Sequence, residues 1–368
     1  MFGKIKKCLI YLYSKKNFRH KWNNEIKNIN KKKNIYEKVK LTVDQEEEIK
    51  EFFVQNYGTN FSNKWHRLYQ SYMGKYDKTF FPEILFSTKL EDVLNPPKIS
   101  HFLEDKSLVE LLYGNVDNLI IPKTILLNCS GIYYSGNRNI ISYSEAVKSL
   151  ENTDELVFKT TIDSSSGRSI MICKFKNGID ENSGMNVEEI LRKYNVNFIA
   201  QECIKNCSEL KKLNPTSLNT FRVITYIAND KLFHVPLALR IGRNGNRVDN
   251  AHAGGIFIGV SDKGILCNKA FSEWGDVFEE HPDTHVRFKN YHIPKVEEMI
   301  KIAYKCHGLT PHLKMISWDF SIDENGSVVL IEMGGSGQSI WFPQMANGCG
   351  AFGENTSYMY ELVRKKHD

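Results

Sequence analysis

Trp318-Asp319-Phe320-Ser321-Ile322-Asp323-Glu324-Asn325-Gly326-Ser327-Val328-Val329-Leu330-Ile331-Glu332-Met333 is the stretch that decides the fold. Asn325-Gly326 between two apolar-rich runs signals a hairpin, because both central positions of a type I′ turn need positive φ. With a loop of those two residues, Trp318 faces Met333, Phe320 faces Ile331 and Ile322 faces Val329. That face is uniformly apolar and must be the buried one, since a one-residue slip would turn it to water. The other face sets Asp319 directly opposite Glu332. Facing carboxylates have Cβ atoms about 4.5–5.5 Å apart and destabilise a sheet unless something neutralises them. A hard divalent cation does so, held by one or two carboxylates and completed by phosphate oxygens. The hairpin alone leaves a second reading open, a solvated strand face with both groups in water.

Working outward, strands are expected at 221–228 and 232–241, followed by a glycine-rich loop at 242–255. A helix is expected at 294–307, with Val296, Met299, Ile300, Ala303 and Cys306 on one face and a stop at Gly308. Further upstream the order is a strand at 156–159, a small-residue loop at 163–168, a strand at 169–175, a helix at 187–194 and a strand at 197–204. Such a loop lets backbone N–H groups approach phosphate closely, with Arg168 adding charge and Lys159 in the strand before it. Two short buried strands are expected around Pro122, then a helix within 140–151. Residues 1–105 read as mostly helical up to the Asn95-Pro96-Pro97 breaker.

The formal charge of +6 is unevenly spread. Residues 1–40 carry 13 Lys+Arg against 2 Asp+Glu, a balance of +11, which leaves −5 for the rest. A basic leader on a mildly acidic body argues against a nucleic-acid partner. The apolar run Cys8 to Tyr13 is far shorter than the ~20 residues that cross a bilayer, and no signal-peptide pattern follows it. A cytoplasmic protein is therefore expected. Two readings of the leader stay open: attraction to an anionic membrane surface through lysines and a few apolar anchors, at the inner face of the membrane, or a solvated basic helix. Eight cysteines lie without paired CxxC spacing, and Cys203 with Cys207 lacks the second pair that a metal site needs.

The ordered set of Asp105-Lys106, Phe158-Lys159, the 163–168 loop, Gln201-Glu202, residues 217–222, Arg240-Ile241-Gly242, Val248-Asp249-Asn250, Gly254-Gly255, His281-Pro282, Asp319 and Glu332 resembles the ATP-grasp superfamily. Within it, the chain is similar to the sugar-transfer associated ATP-grasp proteins found with polysaccharide biosynthesis, over about residues 70–350. The resemblance implies an α+β fold in which two α+β subdomains grip ATP beside a mostly helical N-terminal lobe. The boundaries expected on that basis are a leader at 1–40, a helical lobe at 41–105, an N-terminal subdomain at 106–205 and a C-terminal subdomain at 206–368.

It also implies roles. Lys106 and Lys159 would neutralise the nucleotide phosphates, with Ser165, Ser166 and Gly167 in a flap over them. Gln201, Glu202, Cys203 and Ile204 would form the strand that reads adenine, and Glu209 would accept from the ribose. Arg222 and Arg240 would stabilise the transferring phosphoryl group. The loop 243–255, with Asn250, is similar to the Asn-containing, double-glycine loop of glutamate-adding ligases, in which an arginine near the asparagine meets the acyl phosphate; Val248 stands at that place here, with Arg247 beside it as the candidate. Asp319 and Glu332 would hold Mg2+. The family's Asn two residues after the metal-binding Glu is Gly334 here, so a second ion would rely on Asn347, Gln338 or water.

The resulting expectation is an ATP- and Mg2+-dependent ligase that joins a carboxylate, such as a uronic or sugar-linked acid, to an amine in capsule or other surface polysaccharide synthesis. Two rival expectations are a kinase of a sugar or small molecule and a nucleotide-binding, non-catalytic subunit of a glycan-assembly complex.

Overall fold

The computed structural model describes residues 2–151, 153–162 and 170–365, with side chains from residue 15 onward. The loop at 163–168, and with it Ser165, Ser166, Gly167 and Arg168, lies outside the described residues, as do the side chains of Cys8 to Tyr13.

Sixteen strands are described: β1 Leu119–Ile120, β2 Thr124–Cys129, β3 Ile132–Ser135, β4 Ile140–Ile141, β5 Glu155–Thr160, β6 Met171–Lys176, β7 Ile179–Asp180, β8 Phe198–Glu202, β9 Thr220–Ala228, β10 Lys231–His234, β11 Leu237–Ile241, β12 Ile256–Val260, β13 Leu266–Ser272, β14 Val277–Phe278, β15 Met315–Ile322 and β16 Val328–Gly334. They form two sheets. The larger runs β1-β16-β15-β9-β11-β12-β13-β14, with β10 on β9, and the smaller runs β4-β3-β2-β8-β5-β6-β7. This is the α+β arrangement the sequence predicts. The expected strand at 232–241 is split into β10 and β11 at Val235-Pro236, because proline has no N–H to give a ladder.

The decisive hairpin forms with a different turn. Gly326 takes the positive φ of +80° and its N–H reaches Asp323 O at 2.9 Å, while Asp323 N donates to Ser327 O at 3.0 Å. The loop is therefore the three residues Glu324-Asn325-Gly326, the turn-plus-left-handed-residue form. Asp323 favours it, since its carboxylate accepts from Asn325 N at 3.0 Å and Ser327 N at 2.7 Å. Near the turn Ile322 faces Val328 and Phe320 faces Leu330, one residue off the expected pairing. A bulge at Ile331 absorbs the difference, so Asp319 faces Glu332 and Trp318 faces Met333 as expected.

One face of the large sheet, including Trp318, Phe320, Leu330, Phe221 and Leu239, packs on the helix Val296–Leu309 through Val296, Met299, Ile300, Ala303 and Cys306. That helix runs through Gly308 and is capped at Thr310, one turn position later than its sequence suggests. On the opposite face, Ile224, Tyr226, Phe257 and Met315 share a core with Phe53, Leu68, Tyr69 and Tyr360 from the N- and C-terminal helices. A third core, around Leu156, Phe158, Ile190 and Phe198, holds the small sheet to its helices.

Asn95 ties the start of β15 to the turn after β16. Its buried amide donates to Met315 O and Gly335 O, and its carbonyl accepts from Lys314 N and Met315 N at 2.9 and 3.1 Å. Removing a side chain that leaves several buried backbone groups unpaired costs the desolvation of each. Asn95→Ala is expected to destabilise the fold by about 3 kcal/mol, read from urea midpoints at unchanged slope.

Candidate functional site

Strand register places the charges. On β15, Asp319 pairs with Arg222 of β9 on one side and Glu332 of β16 on the other, so three charged side chains stand in line across one face. Arg240 of β11 pairs with Thr220, two residues before Arg222 on β9, and so joins the same face. The alternate residues Phe221, Trp318 and Phe320 point into the core, so burial on one side enforces the charge row on the other.

Asp319 accepts from Arg222 Nε at 2.7 Å and Nη2 at 3.3 Å, and from Arg240 Nη2 at 2.8 Å. Burial works to raise its pKa, but the two guanidinium groups outweigh it and hold the carboxyl below its ordinary range. Arg240 also donates to Thr220 Oγ1 at 2.6 Å, and Thr220 N donates to Asp249 at 3.0 Å. Burial dominates at Asp249 and raises its carboxyl, with Arg240 and Thr220 acting the other way. Glu332 pairs with Lys106 Nζ at 2.9 Å. Lys159 is buried with its Nζ 3.3 Å from Ile331 O, the carbonyl at the bulge. Desolvation brings Lys159 down to about 8, opposed by Glu332 and aided by Lys106.

These groups line one cavity of about 570 Å3 between the two sheets. Its lining includes the apolar Pro122, Val157, Ile172, Leu218, Ile331 and Met333. Gln201, Glu202 and Ile204 also line it, and Gln201 is fixed by Nε2 donating to Pro122 O at 3.0 Å. Asn250 and Arg247 belong to the same wall.

Several sequence assignments change. Cys203 is not on the wall; its N–H donates to Glu155 O at 3.2 Å, which secures the strand end instead. Glu209 is not on the wall either. It sits in the first turn of the helix Ser208–Leu213, where the helix-end N–H groups hold its carboxyl low. Arg247 reaches the cavity but is ion-paired with Glu155 across the two sheets. Asn347 and Gln338 do not line the cavity: their amides donate to Leu237 O and Pro343 O, and to Met315 O. At Gly334 an added Cβ would lie 2.7 Å from Ser317 Oγ, so the space a side chain would need is taken by the serine.

His252, in the polar loop 243–255, also reaches the wall, two residues after Asn250. Two wall residues, Glu104 and Trp341, carry no signal in the sequence. Glu104 accepts from Gly335 N at 2.9 Å and Ser336 Oγ at 2.8 Å, fixing the turn after β16 at the cavity edge, a contact across more than 230 residues that no local spacing records.

The sequence model of the family described as sugar-transfer associated ATP-grasp matches residues 85–358. The chain belongs to that family. The match covers both sheets and every cavity-wall residue named above, so the ATP-grasp architecture is the α+β fold described here. Comparison with proteins of curated function finds no match. Among solved structures, the chain is similar to D-alanyl-alanine synthetase A from Vibrio cholerae O1 biovar eltor (13% identity, TM-score 0.40, 71% of this chain and 64% of that one). It is also similar to the VanG D-Ala:D-Ser ligase from Enterococcus faecalis (13%, 0.40, 71% and 61%). A third is the ADP complex of purK, an N5-carboxyaminoimidazole ribonucleotide synthetase (11%, 0.36, 63% and 45%). In each case the alignment spans less than two thirds of the neighbour's own length.

The depressed Lys159 carries a stability signature. Its folded value of about 8 lies below the ordinary 10.5, so the unfolded chain holds the proton more tightly. The penalty is fully present below pH 8, shrinks as pH rises to 10.5 and is absent above it. Lys159→Met is expected to stabilise this ATP-grasp protein by up to about 3 kcal/mol at pH 7 and to lose that gain by pH 10.5. Denaturant midpoints across that range check it.

Proposed function

We propose that the protein is an ATP-dependent ligase that activates a carboxylate as an acyl phosphate and passes the acyl group to an amine. The observation that carries this reading is the row Glu332, Asp319, Arg222, with Arg240, Lys106 and Lys159, lining a cavity together with the apolar Pro122, Val157, Ile172, Leu218 and Met333. The apolar lining suits adenine, with Gln201, Glu202 and Ile204 on the same wall. Lys106 and Lys159 would meet nucleotide phosphates, and a phosphate anion beside the buried Lys159 would raise its pKa back toward the ordinary value. Arg222 and Arg240 present donors where charge develops as the γ-phosphoryl leaves ADP for the carboxylate oxygen.

Arg222, Arg240 and Lys106 already neutralise the facing carboxylates, so a divalent ion here would share Asp319 and Glu332 with those cations. Asp319 and Glu332 offer hard oxygen ligands on facing strands, and one or two carboxylates with phosphate oxygens are what magnesium ordinarily takes. Bound there, magnesium would offset phosphate charge. A second ion would have no ligand from Gly334, and Ser317 Oγ stands in its place.

The family's description as sugar-transfer associated supports work on sugar-containing compounds. On that basis we propose surface or capsule polysaccharide synthesis as the setting, with a uronic or sugar-linked acid as the carboxylate. The leader, +11 over residues 1–40 and helical over Phe2–Lys31, supports a peripheral position on an anionic membrane surface. Among the described residues no helix is long and apolar enough to cross a membrane.

An ADP-release screen of carboxylate and amine pairs tests the reaction. Release should need both partners, and Asp319→Asn or Glu332→Gln should cut turnover at least about a hundredfold and raise the magnesium requirement. Release driven by a hydroxyl compound alone would favour a kinase. Unchanged turnover in both variants would remove the metal assignment. For the leader, the protein should sediment with phosphatidylserine-containing vesicles and release at high salt. Reversing Lys4, Lys6 and Lys7 to Glu should abolish that binding.

A further inference from the structure

The second half of the proposed reaction needs a base. An amine acceptor arrives mostly as its ammonium form at neutral pH, and in that form it has no lone pair to offer. As the C–N bond forms and the acyl C–O bond breaks, inorganic phosphate leaves with the bonding electrons, and the amine proton must go to an acceptor. The acidic side chains on the wall are poorly suited. Asp319 is pinned by two guanidinium groups, Asp249 by Thr220 and Arg240, Glu332 by Lys106, and Glu202 pairs with Lys123 at 3.2 Å. Glu104 is committed to the turn at Gly335 and Ser336.

His252 differs. It lies on the same cavity wall, on the short turn Ala251–Ala253 that follows Asn250, with its side chain 55% exposed. Its Nδ1 is 2.5 Å from Glu273 Oε2. A proton on Nδ1 donated to that carboxylate leaves Nε2 as the ring's free lone pair. Glu273 is itself held: its side chain is only 11% exposed, and Lys32 Nζ lies 3.2 Å from Oε1. Lys32 stands in turn 4.6 Å over the Trp341 ring, which lines the cavity beside the His252 ring at 6.1 Å. The other wall imidazole, His101, has no carboxylate partner among the described residues.

We propose that His252 accepts the proton of the attacking amine through Nε2, with Glu273 and Lys32 as positioning residues that fix its ring. This rests on the amide-forming reading above. It also gives the N-terminal segment a task, because Lys32 connects the first helix to a group on the cavity wall. An ion pair with a purely structural task would hold the loop and affect every acceptor alike. A proton acceptor discriminates between acceptors by how firmly they hold their proton.

The test uses the full chain with the carboxylate and amine that release most ADP, and with hydroxylamine, which is largely unprotonated at neutral pH, as the second nucleophile. His252→Ala should lower amine-dependent turnover about a hundredfold. The loss with hydroxylamine should be much smaller, and added imidazole should restore part of the amine reaction. His252→Gln, which keeps a polar side chain at this half-exposed position, should show the same discrimination. Independently, nitrogen NMR of neutral His252 should show Nδ1 protonated in the wild type and a shift toward the Nε2-protonated form in Glu273→Gln. Equal losses with both nucleophiles, or no loss with the amine, would overturn the proton-transfer role while leaving the ligase intact. An unchanged tautomer in Glu273→Gln would overturn the positioning role of Glu273. If the wild type shows no amine-dependent release with any pair, the ligase reading itself fails and this assignment goes with it.

Discussion

The carboxylate of Asp319, clamped between the guanidinium groups of Arg222 and Arg240, is the interaction on which the site depends. Its side chain is only 12% exposed, so three charged groups have been taken largely out of water. Such a cluster is tolerable only with each charge compensated, and compensation here requires β9, β11 and β15 in one fixed register. The apolar side of the same strands enforces that register. A slip of one residue would put Asp319 into the core against the helix Val296–Leu309 and Trp318 into the cavity. The geometry of the charges is thus set by hydrophobic packing on the reverse face.

The second requirement is a wall opposite the charge row. The small sheet supplies it through Val157, Lys159 and Gln201, and the two sheets approach each other through Lys159 to Ile331 O and Arg247 to Glu155. On the same face of the large sheet as the charge row, the N-terminal helices form a continuous aromatic core with the C-terminal helix, including Phe81 stacked on Tyr360 at 4.6 Å. This bracing matters to the cavity because the segments after β16 and before β15 are both tied to the Asn95 side chain. The N-terminal helices therefore support the site at two points, Asn95 and Lys32.

Much of the site was legible in the hairpin. Alternation along β15 and β16 gave the facing pair Asp319 and Glu332, and that pair forms. The turn was misread because Asn325-Gly326 signals a two-residue loop, whereas the Asp323 side chain captures two backbone N–H groups and selects a three-residue one. The bulge at Ile331 then cancels the error by the time the strands reach Asp319, and it turns the Ile331 carbonyl toward Lys159. The resemblance implies Cys203 in the adenine-reading strand and Glu209, seven residues past Glu202, near the ribose. Ile204 still lines the cavity, whereas Cys203 and Glu209 do not, Glu209 standing in the first turn of the helix Ser208–Leu213.

The sequence by itself determined which strand faces are apolar, and hence that one acid of each hairpin arm must share the polar face. That follows from a period of two along a strand and needs no knowledge of distant residues. The two lysines and two arginines were legible only through the family resemblance: Lys159, Arg222 and Arg240 sit in strands β5, β9 and β11, whereas Lys106 opens the short helical turn Lys106–Leu108. Only the tertiary structure decided which cation neutralises which carboxylate, that Lys159 is buried deeply enough to lose much of its basicity, and that Lys32, Glu273 and His252 meet. Those outcomes depend on side chains brought within a few ångströms from positions far apart in the chain, where electrostatic and desolvation terms vary steeply with separation and no local pattern encodes it.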